Sequence, residues 1–215
     1  MRILLDLPSK LRRRKRDARE GLDRYWERRA RDLIGTYDRP ETWPERRWLR
    51  AGAEEETVPC LLDAAGVRSV LVPGCGSGRQ FGFLEPYGFD LGGFDISPTM
   101  VKTCRKRFPR IDTRVAEVVG CDKIFEPFDA VFSSAVLAHV PPHDIEAAVG
   151  SIVRLARKMI VLREKTRFDE PSDYQWAHPY DELLSDWRLV HREATDEGDT
   201  FKAELMAWAR PDYKP

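Results

Sequence analysis

The chain has 215 residues, 42% hydrophobic, 33% charged and 10% aromatic, which is too apolar for a disordered segment and about right for one packed domain. Its 36 basic and 36 acidic residues cancel to a formal net charge of zero, which removes the general electrostatic reason to expect a nucleic-acid or membrane partner. Cys60, Cys75, Cys104 and Cys121 lack the C-x-x-C spacing of a zinc site, the start Met1-Arg-Ile-Leu-Leu-Asp-Leu-Pro8 lacks a signal-peptide core, and no segment approaches the ~18 apolar residues of a membrane span. A soluble protein of a reducing cytoplasm, with no structural metal, is expected.

From Ser9 to about Gly35, Leu11, Leu22, Trp26, Ala30, Leu33 and Ile34 recur at helical spacing and predict one or two helices. Leu11-Arg-Arg-Arg-Lys-Arg16 is a strongly basic run that can steer RNA or a phosphorylated acceptor, but Asp17, Glu20, Asp23 and Glu27 dilute it, and a solvated helix face is the preferred reading. Turn signals at Gly35 to Pro40 and Thr42 to Pro44 separate this region from a helix expected over Glu45 to Ala65, with Pro59 as a candidate interruption.

Ser69-Val-Leu-Val72 is a strand that meets the glycine-rich turn Pro73-Gly-Cys-Gly-Ser-Gly78. A helix over Gln80 to Tyr87 follows, then a strand at Leu91 to Asp95, a helix at Pro98 to Phe108 and a strand at Thr113 to Glu117. Phe128 to Ser133 reads as a fourth strand, Pro142 to Leu155 as a helix and Lys158 to Arg163 as a fifth strand. Such alternation implies parallel crossovers with helices on both sheet faces. After a polar, aromatic insert at Glu164 to Tyr180, strands at Trp187 to Arg192 and Phe201 to Trp208 flank the turn-rich Thr195 to Asp199 and predict an antiparallel hairpin. The expected fold is α/β, with a seven-stranded, mostly parallel sheet; residues 1–58 form a helical lid and substrate region and 59–215 the core of one domain.

Gly74, Cys75, Gly76 and Gly78 lie between a strand and a helix, where backbone without a Cβ can approach a ligand closely. Asp95 ends the next strand about 20 residues downstream, the position from which a carboxylate can accept both hydroxyls of a ribose. Ser97, before Pro98, is the better helix cap and leaves Asp95 to the cleft.

Together Val70-Leu-Val-Pro-Gly-Cys-Gly-Ser-Gly-Arg79, Gly93-Phe-Asp-Ile-Ser-Pro-Thr-Met100 and Phe128-Asp-Ala-Val-Phe-Ser-Ser-Ala-Val-Leu-Ala-His-Val140 resemble the class I S-adenosylmethionine-dependent methyltransferases over roughly Cys60 to Glu164. The resemblance implies S-adenosylmethionine as cofactor, with Gly74, Gly76 and Gly78 along its methionyl and ribose portion, Asp95 on the ribose, and Ile96 and Met100 beside the adenine. It also implies Glu117 near the adenine amine with Val118 beside it, Asp122 as a competitor for that role, and Ser133 near the cofactor's amino group. Val72 stands where the family often carries an acid, and a buried strand residue is expected there. The second and third segments, with no later helix glycine, argue against a nicotinamide cofactor.

Residues beyond strands four and five face the reacting methyl group in such a sheet. His139, His143, His178 and Glu164 are therefore the catalytic candidates, since a hydroxyl acceptor must lose its proton and histidine has a suitable pKa. His139 comes first among them, with bracing of its loop as the plainer alternative, and Glu164 can orient a base or pair with Arg163 and Lys165. Tyr25, Trp26, Trp43 and Trp48 offer stacking surfaces for a planar or sugar-like acceptor, or dock helices. The expected reaction is methyl transfer to a hydroxyl, or second to an amine, of a small metabolite or saccharide-like acceptor. An RNA or protein methyltransferase and a non-catalytic cofactor-binding module stand as alternatives.

Overall fold

The computed structural model describes residues 21–37, 54–167, 174–196 and 202–213. The basic run at 11–16 and the tryptophans at 43 and 48 fall outside the described residues. The helical spacing of Leu22, Trp26, Ala30 and Leu33 becomes α1, Leu22–Tyr37. Of the helix expected over residues 45–65, the described part is α2, Glu54–Ala64, which runs through Pro59, itself buried; residues 45–53 fall outside the described residues. Among the described residues no helix is long and apolar enough to cross a membrane.

The alternating elements follow as β1 (Ser69–Pro73), α3 (Arg79–Leu84), β2 (Asp90–Asp95), α4 (Pro98–Arg107), β3 (Asp112–Val115), β4 (Phe128–Ser134), α5 (Ile145–Leu155) and β5 (Ala156–Arg167). A short α6 (Tyr180–Leu183), β6 (Arg188–Asp196) and β7 (Lys202–Ala209) complete the chain. The sheet order is β3-β2-β1-β4-β5-β7-β6, with β1 to β5 parallel and β7 antiparallel to both β5 and β6. Strand order reverses between β1 and β4, so a crevice opens at their carboxyl ends.

Strand alternation sorts the core into two faces. Val131, Ile160, Leu162 and Trp208 pack with Ile145, Val149 and Ile152 of α5. Val70, Val72, Phe132 and Val161 pack on the other side with Val58 and Leu62 of α2 and Phe81 and Leu84 of α3. Val72, fully buried, is a core residue of β1. Burying each such side chain contributes roughly 1.5–3 kcal/mol, which holds the strand ends in register beneath the crevice.

Candidate active site

The turn after β1 needs glycine for two separate reasons. At Gly74 φ is +60° and a Cβ would lie 2.3 Å from Cγ2 of Val136, so the loop beyond β4 could not pack there. At Gly76 φ is +55° but a Cβ would meet nothing within 4 Å, because this residue faces the open crevice. Gly76 N–H donates to Oδ2 of Asp95 at 3.0 Å, and Ser97 N–H donates to Oδ1 at 2.9 Å. The end of β2 is thereby tied across to the glycine turn. Burial raises the Asp95 pKa to about 6, against the lowering by these two N–H groups and with a further push from Glu27.

Ser97 caps α4, its Oγ accepting from Met100 N–H at 3.2 Å. Glu27 of α1 reinforces the cap: Ser97 Oγ donates to it at 2.5 Å, Thr99 N–H at 3.2 Å, and the Thr99 hydroxyl also donates to it. A carboxylate at a helix N-terminus meets unpaired N–H groups and the positive end of the dipole. Burial opposes the Glu27 charge, but the Ser97 and Thr99 hydrogen bonds and Arg31 outweigh it and hold the carboxyl below its ordinary pKa. This docking lays Leu22, Tyr25, Trp26, Arg29 and Leu33 of α1 along the crevice.

The result is a cavity of about 510 Å³, within the ~300–1,000 Å³ of small-molecule sites. Gly74, Cys75, Gly76, Asp95, Ile96, Met100, Glu117 and Val118 line one end. Asp122 does not line it; its carboxylate accepts from Arg154 Nε at 2.6 Å. Gly78 and Ser133 are also away from the wall, and Ser134, Ala135 and Val136 line it beyond β4 instead.

Glu164 explains that loop. Wholly buried, it accepts from Ser133 Oγ and from the backbone N–H of Val136 and Leu137 through Oε1 at 2.9–3.2 Å, and from Ala138 N–H through Oε2 at 3.1 Å. Burial pushes its pKa up while these donors pull it down. A carboxylate so engaged positions a loop; it lies outside the cavity wall.

Of the histidines, only His139 lines the cavity. Its Nδ1 lies 2.6 Å from the Tyr174 carbonyl, which can only accept, so the proton sits on Nδ1 and Nε2 keeps the ring's lone pair. Trp26 meets the imidazole edge to face with centroids 4.6 Å apart. Burial first, then the charges of Lys165 and Arg29, lowers the His139 pKa to about 4, opposed by the hydrogen bond to Tyr174. His143 is exposed and lies 3.3 Å from Asp144, and His178 points Nε2 at the Val140 carbonyl at 3.0 Å. The four catalytic candidates thus divide into one on the cavity and three elsewhere.

Nothing in the residue pattern singles out Glu54. Set in an acidic run at the start of α2, it is only 1% exposed, ion-paired with Arg79, 3.5 Å from Arg163 Nε, and accepts from Ser134 Oγ at 2.9 Å. Arg79 and Arg163 line the cavity, as do Lys165 and Gln175. Cations from α1, α3 and β5 therefore converge on a site whose acids are Asp95 and Glu117 at its glycine end and Asp144 beyond the β4 loop.

A family model described as a methyltransferase domain matches residues 70–159. The ubiquinone biosynthesis O-methyltransferase of Xanthomonas oryzae pv. oryzae is 31% identical over 159 residues, covering 71% of this chain and 64% of the relative. The chain thus spans less than two thirds of that relative's length. Among solved structures, magnesium protoporphyrin IX methyltransferase from Synechocystis with bound SAM aligns with a TM-score of 0.61 at 19% identity, over 74% of this chain and 78% of that one. The N-methyltransferase NodS from Bradyrhizobium japonicum, in complex with S-adenosyl-L-homocysteine, aligns with a TM-score of 0.61 at 18% identity, over 74% and 87%. These two likenesses concern the fold.

Proposed function

Starting from a chain that carries a class I, Rossmann-like methyltransferase domain over residues 70–159, we propose that it transfers a methyl group from S-adenosylmethionine to a hydroxyl of a small acceptor. The observation that carries this reading is the single cavity running from the glycine turn and Asp95 to His139, whose Nε2 is left as an acceptor. The residues fit the cofactor. Gly76 is open where a side chain would intrude, and Asp95 offers a carboxylate to the ribose hydroxyls. Glu117 and Val118 serve the adenine end, with Ile96 and Met100 beside it.

When bound, the cofactor supplies a methyl group on a sulfonium, a leaving group good enough that the protein mainly aligns and desolvates. α1 excludes water from above. His139, neutral at physiological pH, takes the acceptor's hydroxyl proton on Nε2 while the Tyr174 carbonyl holds Nδ1–H and fixes the ring. Glu164 fixes the loop that carries His139. The O-methyltransferase among the relatives favours oxygen over nitrogen as the acceptor atom.

Calorimetry and a turnover assay test the reading together. Binding of S-adenosylmethionine and S-adenosylhomocysteine, with methylation of at least one hydroxylated small molecule in an acceptor panel, is expected. Tight nicotinamide binding with no response to either ligand would overturn the cofactor. Methylation confined to RNA, with a steep salt dependence, would overturn the small acceptor.

A further inference from the structure

Beside the glycine turn, one buried carboxylate gathers three residues of the cavity wall. Glu54, Glu55 and Glu56 form the acidic first turn of α2, where acids suit the helix dipole, yet Glu54 alone of the three is buried. Its Oε1 pairs with Arg79 Nη2, while its Oε2 accepts from Ser134 Oγ at 2.9 Å and lies 3.5 Å from Arg163 Nε. Arg79, Ser134 and Arg163 line the cavity and Glu54 stands behind them. A buried ion pair adds little net stability, so what Glu54 supplies is geometry.

Two polar capacities of this cluster are left over. Arg79 Nη1 is buried without a hydrogen-bond partner, Glu55 standing 3.6 Å from it, beyond hydrogen-bond reach. The Ser134 hydroxyl gives its one proton to Glu54, so toward any other group it can only accept. Ala135, the next residue, has φ +56°, the one non-glycine residue at positive φ among the described residues, and its N–H donates to the Arg163 carbonyl at 2.8 Å. Backbone strain of this kind collects at ligand sites. A charged donor and an acceptor, both held by one carboxylate, complement the carboxylate and ammonium of an amino acid.

We propose that Glu54 is the positioning residue for the cofactor's amino-acid end, aiming Arg79 at the carboxylate and fixing Ser134 Oγ as an acceptor for the ammonium, an inference that rests on the methyl-transfer reading above. Arg79 opens α3 directly after the glycine turn, and Asp95 and Glu117 lie at the ribose and adenine end. Val72 of β1 is fully buried and apolar, so the acid of this region comes from α2. Two arginines against Glu54 and Glu55 balance in charge, which suits a zwitterion better than a simple anion.

Calorimetric titration of S-adenosylhomocysteine and of 5′-methylthioadenosine, which keeps the adenine, ribose and thioether but lacks the amino acid, tests the assignment. Glu54→Gln is expected to weaken S-adenosylhomocysteine about tenfold or more, the scale of one hydrogen bond to a charged group, and to leave 5′-methylthioadenosine within about twofold. Arg79→Met and Ser134→Ala, which keep Glu54 paired with Arg163, should show the same split, larger for Arg79→Met; they decide the matter if Glu54→Gln does not fold. Parallel weakening of both ligands overturns the proposal by making the cluster a structural brace. Unchanged S-adenosylhomocysteine affinity in Glu54→Gln, or in both other variants, also overturns it. Failure of the wild type to bind either ligand would overturn the cofactor reading and this assignment with it.

Discussion

The two ends of the cavity are built in different ways. The glycine end comes from the ends of three adjacent strands, residues 74–76, 95–100 and 117–118, held by the β1–β2 and β2–β3 registers and by two backbone N–H bonds to Asp95. The His139 end is assembled from four distant segments: α1, the loop after β4, the end of β5 and the stretch around Tyr174. A site made of local backbone geometry can be fixed by sequence spacing. One made of long-range packing can change its acceptor by altering a helix face while the sheet stays as it is.

Breaking the His139 end should therefore cost turnover and spare cofactor binding. His139→Ala is expected to lower kcat by about 10²–10⁴-fold, the usual contribution of a general base, with S-adenosylhomocysteine affinity unchanged by calorimetry. The pH profile sharpens this. Because burial lowers the His139 pKa to about 4, the imidazole stays neutral well below pH 6.5, and the acidic limb of kcat should fall near pH 4. An unchanged kcat in the variant, with a lower melting temperature, would make His139 a brace.

Glu164→Ala should have the next largest effect, on stability. The substitution strands three backbone N–H groups and the Ser133 hydroxyl, a loss of about 3 kcal/mol or more when each unpaired donor costs about 1–3. Urea denaturation reads it directly. A loss under about 1 kcal/mol would mean that water reaches the loop and Glu164 does not hold it.

That contrast also sets what the sequence could tell. The glycine turn, Asp95, the Ser97 cap and the strand–helix alternation were legible because each depends on residues a few positions apart, or on a strand and the turn that ends it. Glu117 could be separated from Asp122 only in the fold, where Arg154 claims Asp122 and Glu117 reaches the cavity. Glu164 read as a surface charge beside Arg163 and Lys165, yet strand alternation turns it alone beneath the β4 loop. Glu27 read as part of a solvated helix face and Glu54 carried no signal of its own; nothing local reveals that Glu54 is buried between two arginines and that Glu27 caps a helix about 70 positions away in sequence.

At the glycine end the expected loss is in binding. Asp95→Ala should weaken S-adenosylhomocysteine by about 1.5–3 kcal/mol, the scale of hydrogen bonds to a charged group. The affinity should also depend on pH. Hydroxyl donors favour the ionised carboxylate, and the free group ionises at about pH 6, so binding should be constant above that and weaken as pH falls below it. Calorimetry between pH 5 and 8 checks the sign. Affinity that rises on acidification would remove Asp95 from the ribose.

The smallest effect is expected where the two ends are joined, at Glu27. Ser97 still caps α4 without it, so Glu27→Gln removes one charge from the helix terminus and should cost only about 1 kcal/mol of stability, within the range of a single cap. Its influence on function is larger than on stability, because α1 carries Tyr25, Trp26 and Arg29 while α4 and Ser97 belong to the cofactor end. A loosened α1 should raise the KM for the acceptor several-fold and leave S-adenosylhomocysteine affinity within about twofold, about 0.4 kcal/mol. The folded-state pKa of Glu27 is depressed, so the docking energy is fully present above its ordinary carboxyl pKa and is lost as pH falls below it. Acidification should then mimic the variant in the wild type and have little further effect in Glu27→Gln. Hydrogen exchange of the α1 amides at pH 7 and pH 4, in both proteins, measures that difference. Equal protection of α1 in wild type and variant at both pH values would show that apolar packing of Ala30 and Leu33 on Met100 holds the helix unaided.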